Sequence, residues 1–122
     1  MLNKKGSTSL LKGPEIRGGF LWIGISGYVF RPDEVHKLLE AYEQMKGAAQ
    51  ILLDFSEADW LTSIGVAAIA RVVAMSLESA RNQRVYVVVR EDFKERYFDE
   101  RPWADGRVFG RLEDVPADPR SS

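Results

Sequence analysis

Cysteine is absent from the 122 residues, which removes disulfides, thiol nucleophiles and thiolate metal sites together and fits a reducing compartment. Histidine occurs once, as His36. A histidine-centred triad would have to draw nucleophile and carboxylate from elsewhere, and no Gly-x-Ser-x-Gly elbow is present. Neither sign of charge dominates, with 17 basic residues against 18 acidic ones and a formal charge of -1. That balance gives no support to a sequence-independent hold on nucleic acid, or to adhesion on an anionic membrane. No apolar run approaches the ~20 residues of a membrane span. The first residues, Met1 to Lys5, are basic, but Gly6 to Lys12 is too polar and too short for a signal-peptide core. The expectation is a cytoplasmic protein with no direct membrane insertion.

The length accommodates one domain with a core that needs neither disulfide nor metal. Ser9 to Lys12 reads as a short first strand closed by the turn-forming Gly13-Pro14. After Gly18-Gly19, Phe20 to Ile25 is a strand rich in aromatic and β-branched residues, ending near Ser26-Gly27. Pro32, Asp33 and Glu34 then suit a helix start, and Val35, Leu38, Leu39, Tyr42 and Met45 follow at helical spacing up to Gly47. Gln50 to Phe55 lacks polar alternation, as expected of a central strand covered on both faces.

Ser63 to Asn82 reads as a second long helix, with Ile69, Val72, Val73, Leu77 and Ala80 facing the core. Ala67, Arg71, Ala74, Glu78 and Arg81 form its other face. Arg84 to Val89 is a further strand, and Glu91 to Phe98 a short helix with Phe93 and Tyr97 one turn apart. Asp105-Gly106 signals a turn, Arg107 to Gly110 a short strand, and Leu112 to Val115 a last helical turn. Residues 1–8 and 116–122 are expected to be mobile ends. Strands separated by helices imply right-handed crossovers, so the fold class is α/β: a mostly parallel mixed sheet of four to five strands, with an antiparallel pairing at the N-terminus.

Chemistry is sparse along this chain. Asp54 lies near the end of an apolar strand, where open α/β sheets often carry functional groups. The acidic pair and late lysine of a phosphoaspartate receiver are not suitably placed, and Asp54 reads as an acceptor for nearby backbone N–H groups. Glycine spacing matches neither a dinucleotide fingerprint nor a phosphate-binding loop. His36 lies off the apolar stripe and reads as solvated, as do Glu57, Asp59 and Glu113. No catalytic constellation assembles, and neither metal nor cofactor is called for. Ser63 and Thr62 open the second helix, where a hydroxyl accepts an unsatisfied N–H and contributes ~1 kcal/mol. A phosphate on Ser63 would bring about two negative charges, tolerated by the helix dipole yet disruptive to a partner built around a neutral hydroxyl. Trp60, just before this start, is either tucked under the sheet edge or a binding anchor.

Asp54-Phe55-Ser56, followed by Thr62-Ser63-Ile64-Gly65-Val66, resembles the STAS family, whose best-known soluble members are bacterial anti-sigma-factor antagonists. In that family a strand ending Asp-Leu-Ser precedes a motif close to Asp-Ser-Ser-Gly-Leu. Ile25-Ser26-Gly27, Val85 to Val89, and Arg107-Val108-Phe109 before Leu112-Glu113-Asp114 extend the resemblance over the chain from about Phe20 onward. Each motif is short, and only the ensemble is specific. The resemblance implies a single, non-enzymatic STAS-like domain with Ser63 as phosphoacceptor and Thr62 as a second candidate. Its implied partner is an anti-sigma factor with serine kinase activity that holds the ATP, with a phosphatase to reverse the modification. The implied partner surface is Trp60, Thr62, Ser63, Ile64, Gly65, Ala67, Arg71 and Ala74, with Asp54 and Ser56 as structural neighbours. Thr62 stands where the family usually has aspartate, and Ile64 where a small residue is usual. Those departures motivate an alternative, an unphosphorylated STAS subunit or scaffold of a larger assembly such as a lipid-transport ATPase or signalling complex.

Overall fold

A computed structural model of the chain describes residues 9–27, 32–45, 47–58, 63–78 and 83–116. Five strands, β1 (Ser9–Arg17), β2 (Phe20–Gly27), β3 (Gln50–Ala58), β4 (Arg84–Val88) and β5 (Val108–Phe109), lie side by side in chain order. β1 runs antiparallel to β2, and every later neighbour is parallel. The fold class is therefore α/β, as the alternation of strand and helix patterns predicts. Helices α1 (Pro32–Met45), α2 (Ser63–Leu77) and α3 (Glu91–Tyr97) carry the chain between successive parallel strands.

The hairpin that opens the sheet differs from expectation. Gly13-Pro14 does not end β1; the strand shifts register between Lys12 and Glu15 and resumes to Arg17. The reversal falls instead on Gly18-Gly19, whose φ values of 57° and 88° are those of the two-residue turn that matches the twist of paired strands. Glu15 and Arg17 then face Trp22 and Phe20 across the pair.

The period-two alternation of the strands sorts side chains to two faces. Ile23 and Ile25, Ile51, Leu53 and Phe55, and Val85, Val87 and Val89 share one cluster with Leu38, Tyr42 and Met45 of α1, Val66, Ile69 and Val72 of α2, and Phe93 of α3. All three helices thus pack on the same face. The opposite face carries a separate cluster of Phe20, Trp22, Leu52 and Val88, with Tyr86 and Val115 against it. Rings cover this second face: Phe20 meets Tyr86 edge-on at 5.8 Å between centroids, and Tyr86 meets Phe109 at 6.1 Å. Over Gln50 to Leu53, β3 is buried on both sides, as the lack of polar alternation implies, although side chains and not helices close the second; Ser56 and Glu57 near its end are exposed.

Further differences concern the helical segments. Leu77 is 59 % exposed, so it does not extend the core stripe of α2. Buried Ser76 lies on that stripe instead, its Oγ donating to the Val73 carbonyl at 2.7 Å. Ala80 and Arg81 lie outside the described residues, as do the expected mobile ends 1–8 and 116–122 apart from Pro116. A 3-10 turn at Pro102–Ala104, not expected from the sequence, precedes the Asp105-Gly106 turn. The last helical turn, Leu112–Asp114, is likewise 3-10.

Candidate functional site

β3 and α2 are joined by residues 59–62, Trp60 and Thr62 among them, which lie outside the described residues. Ser63 is the first residue of α2 and is exposed. Ser63 therefore occupies the first turn itself. Ile64 is 43 % exposed, whereas Gly65 and Val66 are buried. Burial then recurs at Ala68, Ile69, Val72, Val73 and Ser76, which turns Ala67, Arg71 and Ala74 outward. Ser63, Ala67, Arg71 and Ala74 are spaced by four, four and three residues, one stripe of a helix with 3.6 residues per turn. The structure thus brings five of the expected surface residues, Ser63, Ile64, Ala67, Arg71 and Ala74, onto one exposed side of α2. Gly65 is not among them: it is buried and belongs to the packing of the helix start.

Electrostatics at this start are simple. No acidic residue stands in the first turn of α2, so the positive end of the helix dipole is not offset locally by a carboxylate of the helix itself. A small alanine at 67 and another at 74 leave the backbone approachable on either side of the Arg71 guanidinium. The arrangement is a surface rather than a cleft. The recess of about 300 Å³ beside α3 and that of about 120 Å³ on the second sheet face both lack Ser63.

Asp54 acts as expected and also as not expected. One carboxylate oxygen, Oδ1, accepts from the Ser56 backbone N–H at 2.9 Å and from its hydroxyl at 2.6 Å, which binds the chain locally near the end of β3. The other, Oδ2, accepts from the indole Nε1 of Trp22 at 3.0 Å. With both oxygens engaged in this way, the carboxylate serves as an anchor between β2 and β3. Trp22 reaches it by lying over Gly24: a Cβ there would meet ring atoms Cζ2 and Cη2 at 2.4 and 2.5 Å. The Arg17 guanidinium covers the ring from outside, 3.5 Å from its centroid. Sequence reasoning missed this Arg17–Trp22–Asp54 stack. Its signal was Gly24, a glycine inside a strand otherwise rich in large apolar residues, which marks a place where something approaches the backbone closely.

His36 is exposed, as are Glu57 and Glu113, in keeping with solvated side chains; Asp59 lies outside the described residues. Among the described residues no group of three or more metal-ligating side chains converges, and no helix is long and apolar enough to cross a membrane. Comparison with protein-family profiles, with curated proteins and with solved structures found no significant match to this chain. What the fold and the site define is an α/β domain with helices on one sheet face and an exposed serine at the start of its second helix.

Proposed function

We propose that the chain is a STAS-type regulatory domain, an anti-sigma-factor antagonist or a related partner-switching protein, that works by binding and not by catalysis. The observation that carries the reading is the exposed Ser63 at the head of a continuous outward stripe, Ser63, Ala67, Arg71 and Ala74, with half-exposed Ile64 beside it. The motif resemblance around Asp54 and Ser63 supports it. In the unmodified state the neutral hydroxyl, Ile64 and the small alanines form a surface that a partner can approach closely. Transfer of a phosphoryl group to Ser63 by a serine kinase partner, which holds the ATP, adds about two negative charges at the edge of that surface. The helix dipole accommodates them within the domain. The partner, packed against a neutral hydroxyl, loses its fit and leaves.

Ser63→Asp and Ser63→Ala test this reading. Aspartate at a helix start is compatible with the dipole, so thermal unfolding should move little in either variant. Binding to the native partner, measured by calorimetry, should fall about tenfold or more with Ser63→Asp, the equivalent of ~1.4 kcal/mol, and persist with Ser63→Ala. Equal binding by both would remove Ser63 as the control point. Ile64 favours one further reading: an exposed branched apolar side chain next to Ser63 suits permanent docking, as in an unphosphorylated subunit of a larger assembly. Purifying the native complex separates the two, since a membrane ATPase partner supports permanent docking and a soluble kinase supports the switch.

A further inference from the structure

β1 lies at one end of the sheet and pairs only with β2, which leaves its outer edge open among the described residues. Ile16, near the end of that edge, is 80 % exposed, above Leu77 at 59 %, Leu112 at 55 % and Ile64 at 43 %. We propose that this edge is a self-association surface on which two copies of the chain pair antiparallel about a two-fold axis through Ile16.

The register of the hairpin decides which groups face outward. Arg17 and Phe20 flank the two-residue turn, and such a turn closes on a hydrogen-bonded pair. Alternation then makes Ile16 and Leu21 the non-hydrogen-bonded pair, so the N–H and C=O of Ile16 point away from β2. In a two-fold antiparallel arrangement each Ile16 N–H donates to the C=O of the second copy's Ile16. The two exposed side chains then lie side by side on one face. The same axis sets Glu15 opposite the second copy's Arg17, and Arg17 opposite the second copy's Glu15.

Charge on an edge strand usually opposes pairing with another copy. Here the signs are arranged the other way, because the two-fold axis puts unlike charges opposite each other at both positions. They would occupy non-hydrogen-bonded pairs, where cross-strand side chains approach most closely. Arg17 is also held in place beforehand, stacked on Trp22 at 3.5 Å and bridged to its own Glu15 at 2.6 Å. Each guanidinium would then lie between two carboxylates. Pro14 has no N–H to donate and Gly18-Gly19 turns the chain away, so the ladder is short and the dimer weak and exchanging. An isologous contact of this kind closes as a dimer and does not propagate.

Sedimentation velocity on the full chain over a concentration series tests the proposal, with Glu15→Arg, Arg17→Glu and Ile16→Pro alongside. The wild-type chain should show a concentration-dependent dimer. Glu15→Arg and Arg17→Glu, each placing like charges opposite one another, should each weaken association about tenfold. An equimolar mixture of those two variants restores both unlike pairs and should associate as the wild type does. Ile16→Pro, which deletes the outward N–H while sparing the bonds to β2, should be monomeric. A wild-type chain that stays monomeric up to ~1 mM, single variants that dimerise unchanged, a mixture that associates no better than its components, or a dimer that survives Ile16→Pro would each overturn it.

Discussion

Tyr42→Ala is expected to lower the free energy of unfolding by ~3–5 kcal/mol, a large share of the 5–15 kcal/mol typical of a whole domain. Tyr42 is only 2 % exposed and packs within the cluster that joins α1 to the sheet. Its hydroxyl donates to Gln83 Oε1 at 2.6 Å, and Gln83 Nε2 donates onward to the Ala48 carbonyl at 2.8 Å. One side chain therefore fills core volume and ties the end of α1 to the chain entering β3 and β4. Truncation leaves a cavity that surrounding helices and strands only partly close, and it withdraws a buried donor from Gln83. Tyr42→Phe separates the two effects: it keeps the ring and should cost only ~1 kcal/mol. Urea unfolding of both variants checks the split, and equal losses would show that the hydroxyl rather than the ring volume dominates.

Gly24→Val should cost ~2–5 kcal/mol, through overpacking and through loss of the partly buried hydrogen bond that the displaced indole makes. The Cβ has no room, since ring atoms of Trp22 already stand at 2.4 and 2.5 Å from where it would be. Trp22 must swing off Gly24, giving up Asp54 Oδ2 on β3 and the stacked Arg17 together. The effect should depend on the size of the indole. In a Trp22→Phe background the same substitution should be milder, with a coupling of more than ~1 kcal/mol between the two sites. Additive losses would mean that the ring does not occupy the space over Gly24.

This stack shows where the sequence was readable and where it was not. The strands and helices follow from periodicity, because apolar spacing of two or of 3.6 is a local property. So does the outward stripe of α2, since Ala67, Arg71 and Ala74 alternate with buried neighbours on one helix. Leu77 fits the apolar spacing of α2 yet is 59 % exposed, because hydrophobicity alone does not show which side chains near a helix end are covered. Gly13-Pro14 reads as the end of β1 from sequence, because an irregularity in a strand and a turn share the same residues. The Trp22–Asp54 bond links residues 32 positions apart, and pairing across strands sets that distance, not local pattern. The hydroxyl of Ser63 was placed at the start of α2 from sequence, but its exposure beside Ile64 required the packing of Gly65 and Val66 underneath.

In the proposed partner switch, Ser63 is the residue that gains the phosphate. Intact mass of the chain after incubation with ATP and the serine kinase partner proposed above, followed by peptide mapping, measures this directly. The expected result is the gain of a single phosphate on the peptide containing Ser63, absent from Ser63→Ala, and accompanied by release of the partner. A chain that binds the partner yet gains no phosphate, or gains it only elsewhere, would contradict the switch.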